Sequence, residues 1–141
     1  MELLWILIFG NFVSLTDEPI NLSVGINHLS LQKPISAINT GATLEVDITS
    51  MVPTEATEKL LLARQWVENN IPSGCLSAVL AGGHSTPVFG FEGHTAYRKG
   101  SVKLILTGPN DLPLRQDFSE LTLSTCMALP GVLIYWRNHG K

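Results

Sequence analysis

The sequence predicts a mainly β protein: an antiparallel β-sandwich, Ig-like or jelly-roll-like, of about 8 strands with one inserted α-helix at about residues 54–69. Three observations support this fold class. Short apolar or alternating segments are separated by turns rich in glycine, proline and asparagine. A single stretch of the chain has helical spacing of its apolar residues. At 141 residues, the chain has the length of one domain with a sizeable core.

The first residues leave the domain boundary open. Leu3–Val13 is an apolar run of the length found in secretory signals. We interpret residues 1–16 as a signal peptide cleaved after Thr16, or as an N-terminal strand, with residues 17–141 as the single domain. A signal places the protein outside the cytoplasm, secreted or periplasmic, whereas a strand retained over residues 1–13 leaves it cytoplasmic. The run is shorter than the roughly 20 apolar residues of a transmembrane span, so no span is expected.

Two early segments have the period of two that a half-buried strand requires. Their alternating apolar positions are Ile20, Leu22, Val24 and Ile26 in the first segment and Ala42, Leu44, Val46 and Ile48 in the second. We expect each set to lie on one face of its strand. Further along, Cys75–Ala81, Val102–Leu106 and Val132–Trp136 are short apolar runs that predict strands, and Val102–Leu106 is the candidate edge strand.

The helix is predicted to begin at Thr54, a favourable N-cap residue. Glu55 and Glu58 follow in the first turn, where acidic side chains interact favourably with the helix dipole. An apolar stripe at helical spacing is formed by Ala56, Leu60, Ala63 and Val67, and is widened by Leu61, Leu62 and Trp66. This stripe predicts a helix that packs on the sheet as a lid.

Composition excludes several classes of function. Charged residues make up only 15% of the chain, and the net charge is −3. The first 50 residues hold five acids and one base, and no basic stripe occurs in the chain, so nucleic-acid binding is not expected. The sequence has no phosphate loop, dinucleotide-binding fingerprint or nucleophile elbow. We therefore expect no cofactor.

The two cysteines, Cys75 and Cys126, predict one disulfide in an oxidising compartment. A bridge between them would close a long loop and stabilise the fold by roughly 3–4 kcal/mol. Two buried free thiols are the alternative, because cysteine is among the most buried residue types.

A metal site is a second hypothesis. Glu92 and His94 are two positions apart, so on a strand they point to the same face, and His84 could join them from the preceding turn. Two histidines and one carboxylate form a ligand set suited to a divalent metal. Exposed polar residues on a glycine-rich loop are the alternative interpretation.

Aromatic and arginine side chains predict a recognition surface, because these residue types are enriched at binding hot spots. The candidate binding residues are Phe91, Tyr97, Arg98, Trp136 and Arg137. Alternation along the strands requires about half of the aromatic residues to face the core.

We expect an exported, non-enzymatic module that binds a protein or cell-envelope partner through loops or an exposed edge strand. Two alternatives remain. An inhibitor or immunity-type protein would use the acidic first third of the chain to block a basic enzyme surface. A metal-dependent enzyme would use His84, Glu92 and His94. The sequence leaves the oligomeric state open.

Overall fold

The computed structural model describes residues 12–37, 42–82, 86–109 and 116–138. These ranges contain nine strands, one α-helix and two 3-10 helical turns. The elements are β1 (Phe12–Ser14), β2 (Ile20–Leu22), β3 (Gly25–Ala37), β4 (Ala42–Asp47), 3-10 turns at Thr49–Met51 and Thr54–Thr57, α1 (Leu60–Asn70), β5 (Leu76–Ala81), β6 (Val88–Arg98), β7 (Ser101–Thr107), β8 (Gln116–Thr125) and β9 (Leu129–Asn138).

The described strands form one antiparallel sheet. Its order is β1-β9-β4-β7-β6-β5-β8-β3, and β2 pairs with β9 beside β1. The sheet is curled into a half-barrel. The prediction of a mainly β, antiparallel protein with one helix is therefore confirmed, but a β-sandwich is not confirmed, because one sheet curves around the core instead of two sheets facing each other.

The core lies within the curve of the sheet and is built by alternation along the strands. In β4, Leu44 and Val46 are fully buried, as the period of two predicts. The same holds for Leu104 and Leu106 in β7 and for Ile134 in β9. Each of these strands therefore contributes every second side chain to the core.

The first alternating segment is not one strand, so its prediction was wrong in part. Leu22 is buried, but Val24 and Ile26 are 66% and 67% exposed. The chain turns between β2 and β3, where Gly25 has a φ of +100° that favours glycine. After this turn the inward positions of β3 are Leu29 and Leu31, so the alternation continues with its phase reversed.

The predicted helix begins later than expected. Thr54 opens a 3-10 turn, and α1 starts only at Leu60. The Thr57 carbonyl accepts hydrogen bonds from Gly100 N–H and from the Tyr97 hydroxyl, each at 3.0 Å. In a continuous α-helix this carbonyl would accept from the N–H four residues later. Contacts with the turn after β6 therefore interrupt the helix.

The helix α1 packs on β6, and its Ala63 and Val67 side chains are buried in the core. The prediction that the helix covers the sheet is thus confirmed for these two positions. Leu60, which was expected in the buried stripe, and Leu61 and Leu62, which were expected to widen it, are 40–64% exposed. Within the described ranges, no helix combines the length and apolarity needed to cross a membrane.

The candidate edge strand was wrong. Val102–Leu106 belongs to β7, which lies inside the sheet between β4 and β6. Its main-chain groups pair on both sides. The low charge of this strand therefore reflects its burial inside the sheet and does not mark an exposed edge. The sheet instead ends at β3 and at β1 and β2.

The two cysteines lie at disulfide distance, with their Cα atoms 4.9 Å apart. Cys75 precedes β5 and Cys126 follows β8, and these two strands are neighbours in the sheet. The N–H of Cys126 donates to the Cys75 carbonyl at 2.9 Å. The bridge thus joins residues that the sheet already brings together.

Loss of this bridge is expected to lower the free energy of unfolding by about 3–4 kcal/mol, because the unfolded chain regains the freedom of a long loop. The measurement is guanidinium denaturation of the wild type with and without reductant, beside the double variant Cys75→Ala/Cys126→Ala. Reductant should leave the double variant unchanged. Equal stability of oxidised and reduced wild type would contradict the prediction.

Candidate functional site

The half-barrel is open along one line, which we call the seam: the space between β3 and residues 12–22. Residues 12–22 follow the outer side of β9 through β1 and β2, and β3 follows β8 at the opposite edge of the sheet. Among the described strands, neither β1 nor β2 pairs with β3. Two strand edges therefore face each other without a ladder between them.

A cleft of about 420 Å³ occupies the seam. One wall consists of residues 13–18 and Ile20, and the other of residues 29–31. The lining is apolar at Leu15, Ile20 and the leucines of β3, and polar at the serines, Thr16 and the two acids that precede Pro19. A volume of this size lies in the range of binding clefts, and the lining is half apolar and half polar.

Asn27 binds the connection between β2 and β3, where the two walls of the seam meet along the chain. Its Oδ1 atom accepts from Ser23 N–H at 3.0 Å, and its Nδ2 atom donates to the Ser23 carbonyl at 2.9 Å. The Asn27 side chain thus holds the two-residue connection between β2 and β3, where no main-chain ladder joins these two described strands. The two walls of the seam are therefore joined at this end.

The direction of the main-chain groups of β3 follows from the β5–β8 ladder. Cys126 N–H donates to the carbonyl of Cys75, the residue opposite it, and in antiparallel ladders such bonded pairs recur at every second residue. Even-numbered residues of β8 therefore direct their N–H and C=O groups toward β5. The odd-numbered residues, including Leu123, direct theirs toward β3.

The register of β3 completes this assignment. Asn27 lies opposite Leu123, so the odd-numbered residues of β3 bond to β8. The N–H and C=O groups of Ile26, His28 and Ser30 consequently point away from β8 and toward the seam. Among the described residues, no strand pairs with this part of β3, so it forms an open edge at which another strand could pair.

The opposite wall is held to β9 at Ile134. Leu15 N–H donates to the Ile134 carbonyl at 2.8 Å, and Ile134 N–H donates to Thr16 Oγ1 at 3.1 Å. Thr16 is buried, so its hydroxyl takes the place of a main-chain acceptor in the ladder. Cleavage after Thr16 would remove β1 together with both bonds, whereas residues 1–11 of the proposed signal lie outside the described residues.

The first strand is also fixed by a cluster on the outer face of the sheet. Glu45 accepts from Arg137 Nε at 2.7 Å and from Lys103 Nζ at 3.4 Å. The Phe12 ring stacks on Tyr135 with centroids 5.1 Å apart, and the Arg137 guanidinium lies 4.4 Å from the Phe12 centroid. Such cation–π contacts add to the ion pairs and help to hold β1 at the seam.

The same cluster changes the acidity of Tyr135. Burial, followed by the negative charges of Asp47 and Glu45, raises the pKa of the Tyr135 hydroxyl above its ordinary value of 10.0. Lys103 Nζ lies 4.6 Å from the Tyr135 ring. The folded state therefore favours the neutral, protonated form of the Tyr135 hydroxyl.

The predicted binding residues do not form one surface. Phe91 and Trp136 are 0% and 1% exposed, because both point into the half-barrel, so neither is available to a partner. Tyr97 is half-buried and donates its hydroxyl to Thr57. Arg98 is exposed at the end of β6, and Arg137 is paired with Glu45.

Of the predicted metal ligands, Glu92 and His94 are exposed on β6, in the irregular stretch between Phe91 and Thr95. His84 lies outside the described residues. In the part of the chain that the structure describes, no group of three or more His, Cys, Asp or Glu residues could hold a metal ion. The metal hypothesis thus stays a prediction.

The seam was not predicted from the sequence, because its two walls are separate segments of the chain. Only the pairing of β1 and β2 with β9, and of β3 with β8, shows which strand edge has no partner among the described strands. One signal was present: no Lys or Arg occurs between Phe12 and Gln32, although the segment is rich in strand-forming residues. Charged side chains normally protect an open edge from pairing with other strands. Their absence between Pro19 and Gln32 marks the edge that the fold leaves open.

The raised pKa of Tyr135 gives a pH prediction. The folded state holds the phenolic proton more tightly than the unfolded state, so this contribution to stability is complete below about pH 10 and is lost as pH rises through the folded-state pKa. Denaturation of the wild type and Tyr135→Phe at several pH values from about 9 upward tests it. The wild type should lose stability more steeply, and parallel curves would contradict the assignment.

Similarity to known proteins gives no assignment for this chain. Comparison with protein-family models, with curated proteins and with solved structures finds no match. The proposal below therefore rests on the geometry of the seam.

Proposed function

We propose that this protein is a non-enzymatic binding module that takes an extended segment of a partner protein along β3. The observation that carries the proposal is the open edge at Ile26, His28 and Ser30, beside an apolar cleft. Strand addition uses main-chain hydrogen bonds for affinity and pockets for alternate side chains for specificity. The seam offers both within one short stretch of the sheet.

The apolar surface at this edge supports the proposal. Ile26 is 67% exposed on the outer face, while Leu29 lines the cleft on the inner face. An added strand presents successive side chains to opposite faces, so it would cover both residues. Burial of apolar area contributes roughly 25 cal/mol per Å², so contact on both faces adds to the main-chain bonds.

Export is part of the proposal. The cysteine pair at disulfide distance fits an oxidising compartment, such as the extracellular space or the periplasm. Intact-mass measurement of the protein from its native source reports both the disulfide, as the loss of two hydrogen atoms, and any processing of residues 1–16. Reduced cysteines in that sample would argue against export.

The edge is tested by removing one main-chain donor. His28→Pro deletes an N–H that points to the seam and leaves the β8 ladder intact, whereas His28→Ala changes only the side chain. The probe is a blocked octapeptide of alternating valine and threonine with one central lysine. We expect His28→Pro to weaken binding of this probe about two- to tenfold, since a net main-chain hydrogen bond contributes about 0.5–1.5 kcal/mol.

A second pair of variants tests the same edge through side-chain charge. Ile26→Lys places a charge at the open edge, and Val88→Lys places one at a similarly exposed position on β6, inside the sheet. Binding measured by calorimetry should fall for Ile26→Lys and stay unchanged for Val88→Lys. Thermal unfolding of each variant reports whether the fold is retained. Equal effects of the two variants, or equal binding by His28→Pro and His28→Ala, would contradict strand addition at β3.

A further inference from the structure

We propose that the segment bound in the seam carries a lysine or arginine at its centre, flanked by apolar residues at alternate positions. This inference rests on the proposed strand addition at β3. It assigns the chemistry of the partner: a basic and apolar extended segment, not an acidic one.

The charge of the seam supports this assignment. Asp17 and Glu18 belong to one wall of the cleft, and both are exposed. No Lys or Arg occurs between Phe12 and Gln32, so neither wall brings a positive charge of its own. Neither acid forms a salt bridge within the described residues, whose ion pairs both involve Glu45. Within the described residues, the seam therefore offers its occupant two carboxylates that form no ion pair.

The position of the acids determines where the base belongs. They lie in the connection between β1 and β2, and they line the same cleft as Leu29, Ser30 and Leu31 of β3. The acids therefore share the cleft with residues 29–31, whereas Asn27 does not line it. Because the carboxylates are exposed, the complementary charge lies on the outward side of the added strand.

The inner side of the cleft requires apolar side chains. Leu15 and Ile20 on one wall and Leu29 and Leu31 on the other present an apolar lining. Successive side chains of the added strand alternate between the two faces. The inward positions of the partner are therefore apolar, and a basic residue between two of them faces Asp17 and Glu18.

A second copy of this chain fits the seam less well. Pairing β3 with the same strand of another molecule would bring together four acids, Asp17 and Glu18 of each copy, and only two bases, Lys33 of each copy. Like charges across an interface oppose association. Dimerisation through the seam is therefore an alternative outcome of the test.

The test uses the full chain and three blocked octapeptides that differ at one central position: lysine, glutamine or glutamate. The lysine peptide should bind about three- to tenfold more tightly than the glutamate peptide, with the glutamine peptide between them. The preference should shrink in about 1 M salt, where the Debye length is about 3 Å. In the double variant Asp17→Asn/Glu18→Gln, the three peptides should bind with equal affinity.

The outcomes separate the two proposals. Equal binding of the lysine and glutamate peptides by the wild type, or a preference that survives in the double variant, overturns the charge assignment and leaves strand addition standing. Failure of all three peptides to bind overturns both. Concentration-dependent dimerisation in sedimentation velocity that is lost in Ile26→Lys would show that a second copy occupies the edge, and would overturn the inference.

Discussion

The attachment of residues 12–22 to β9 is the constraint on which the rest of this structure depends. Leu15 and Thr16 both form hydrogen bonds with Ile134, and these bonds hold the first two strands along the outer side of β9. A hairpin of β2 with β3, joined by two residues, would otherwise be the simplest pairing for this stretch. Because β2 pairs with β9 instead, β3 has no partner on one side among the described strands, and the half-barrel is open there.

The buried core and the open seam lie in different parts of the sheet. The core is formed by the central strands, where Phe91, Leu104 and Ile134 are fully buried beneath the helix and the curved sheet. The seam lies at the ends of the strand order, where pairing is on one side only. Most of the core therefore lies away from the seam, and Leu31 is the core residue that also lines the cleft.

The sequence predicts what depends on local periodicity and misses what depends on distant pairing. The alternation in Ala42–Ile48 is enough to identify β4 and its buried face. The start of α1 could not be predicted from Thr54, because hydrogen bonds from Tyr97 and Gly100 take the Thr57 carbonyl. Likewise, a strand with a single charged residue is central in β7 and terminal in β3, and only the order of the sheet distinguishes the two cases.

The length of the open edge limits the kind of partner that the seam could serve. Its directed main-chain groups belong to Ile26, His28 and Ser30, and the β3–β8 register shifts between Ser30 and Ile35. Pro34 follows within this irregular stretch and has no N–H to offer. A strand added along a few residues buries a small area, which is typical of weak, transient complexes. Selectivity must then come from the cleft and its two carboxylates, because a short ladder of main-chain bonds is the same for every sequence.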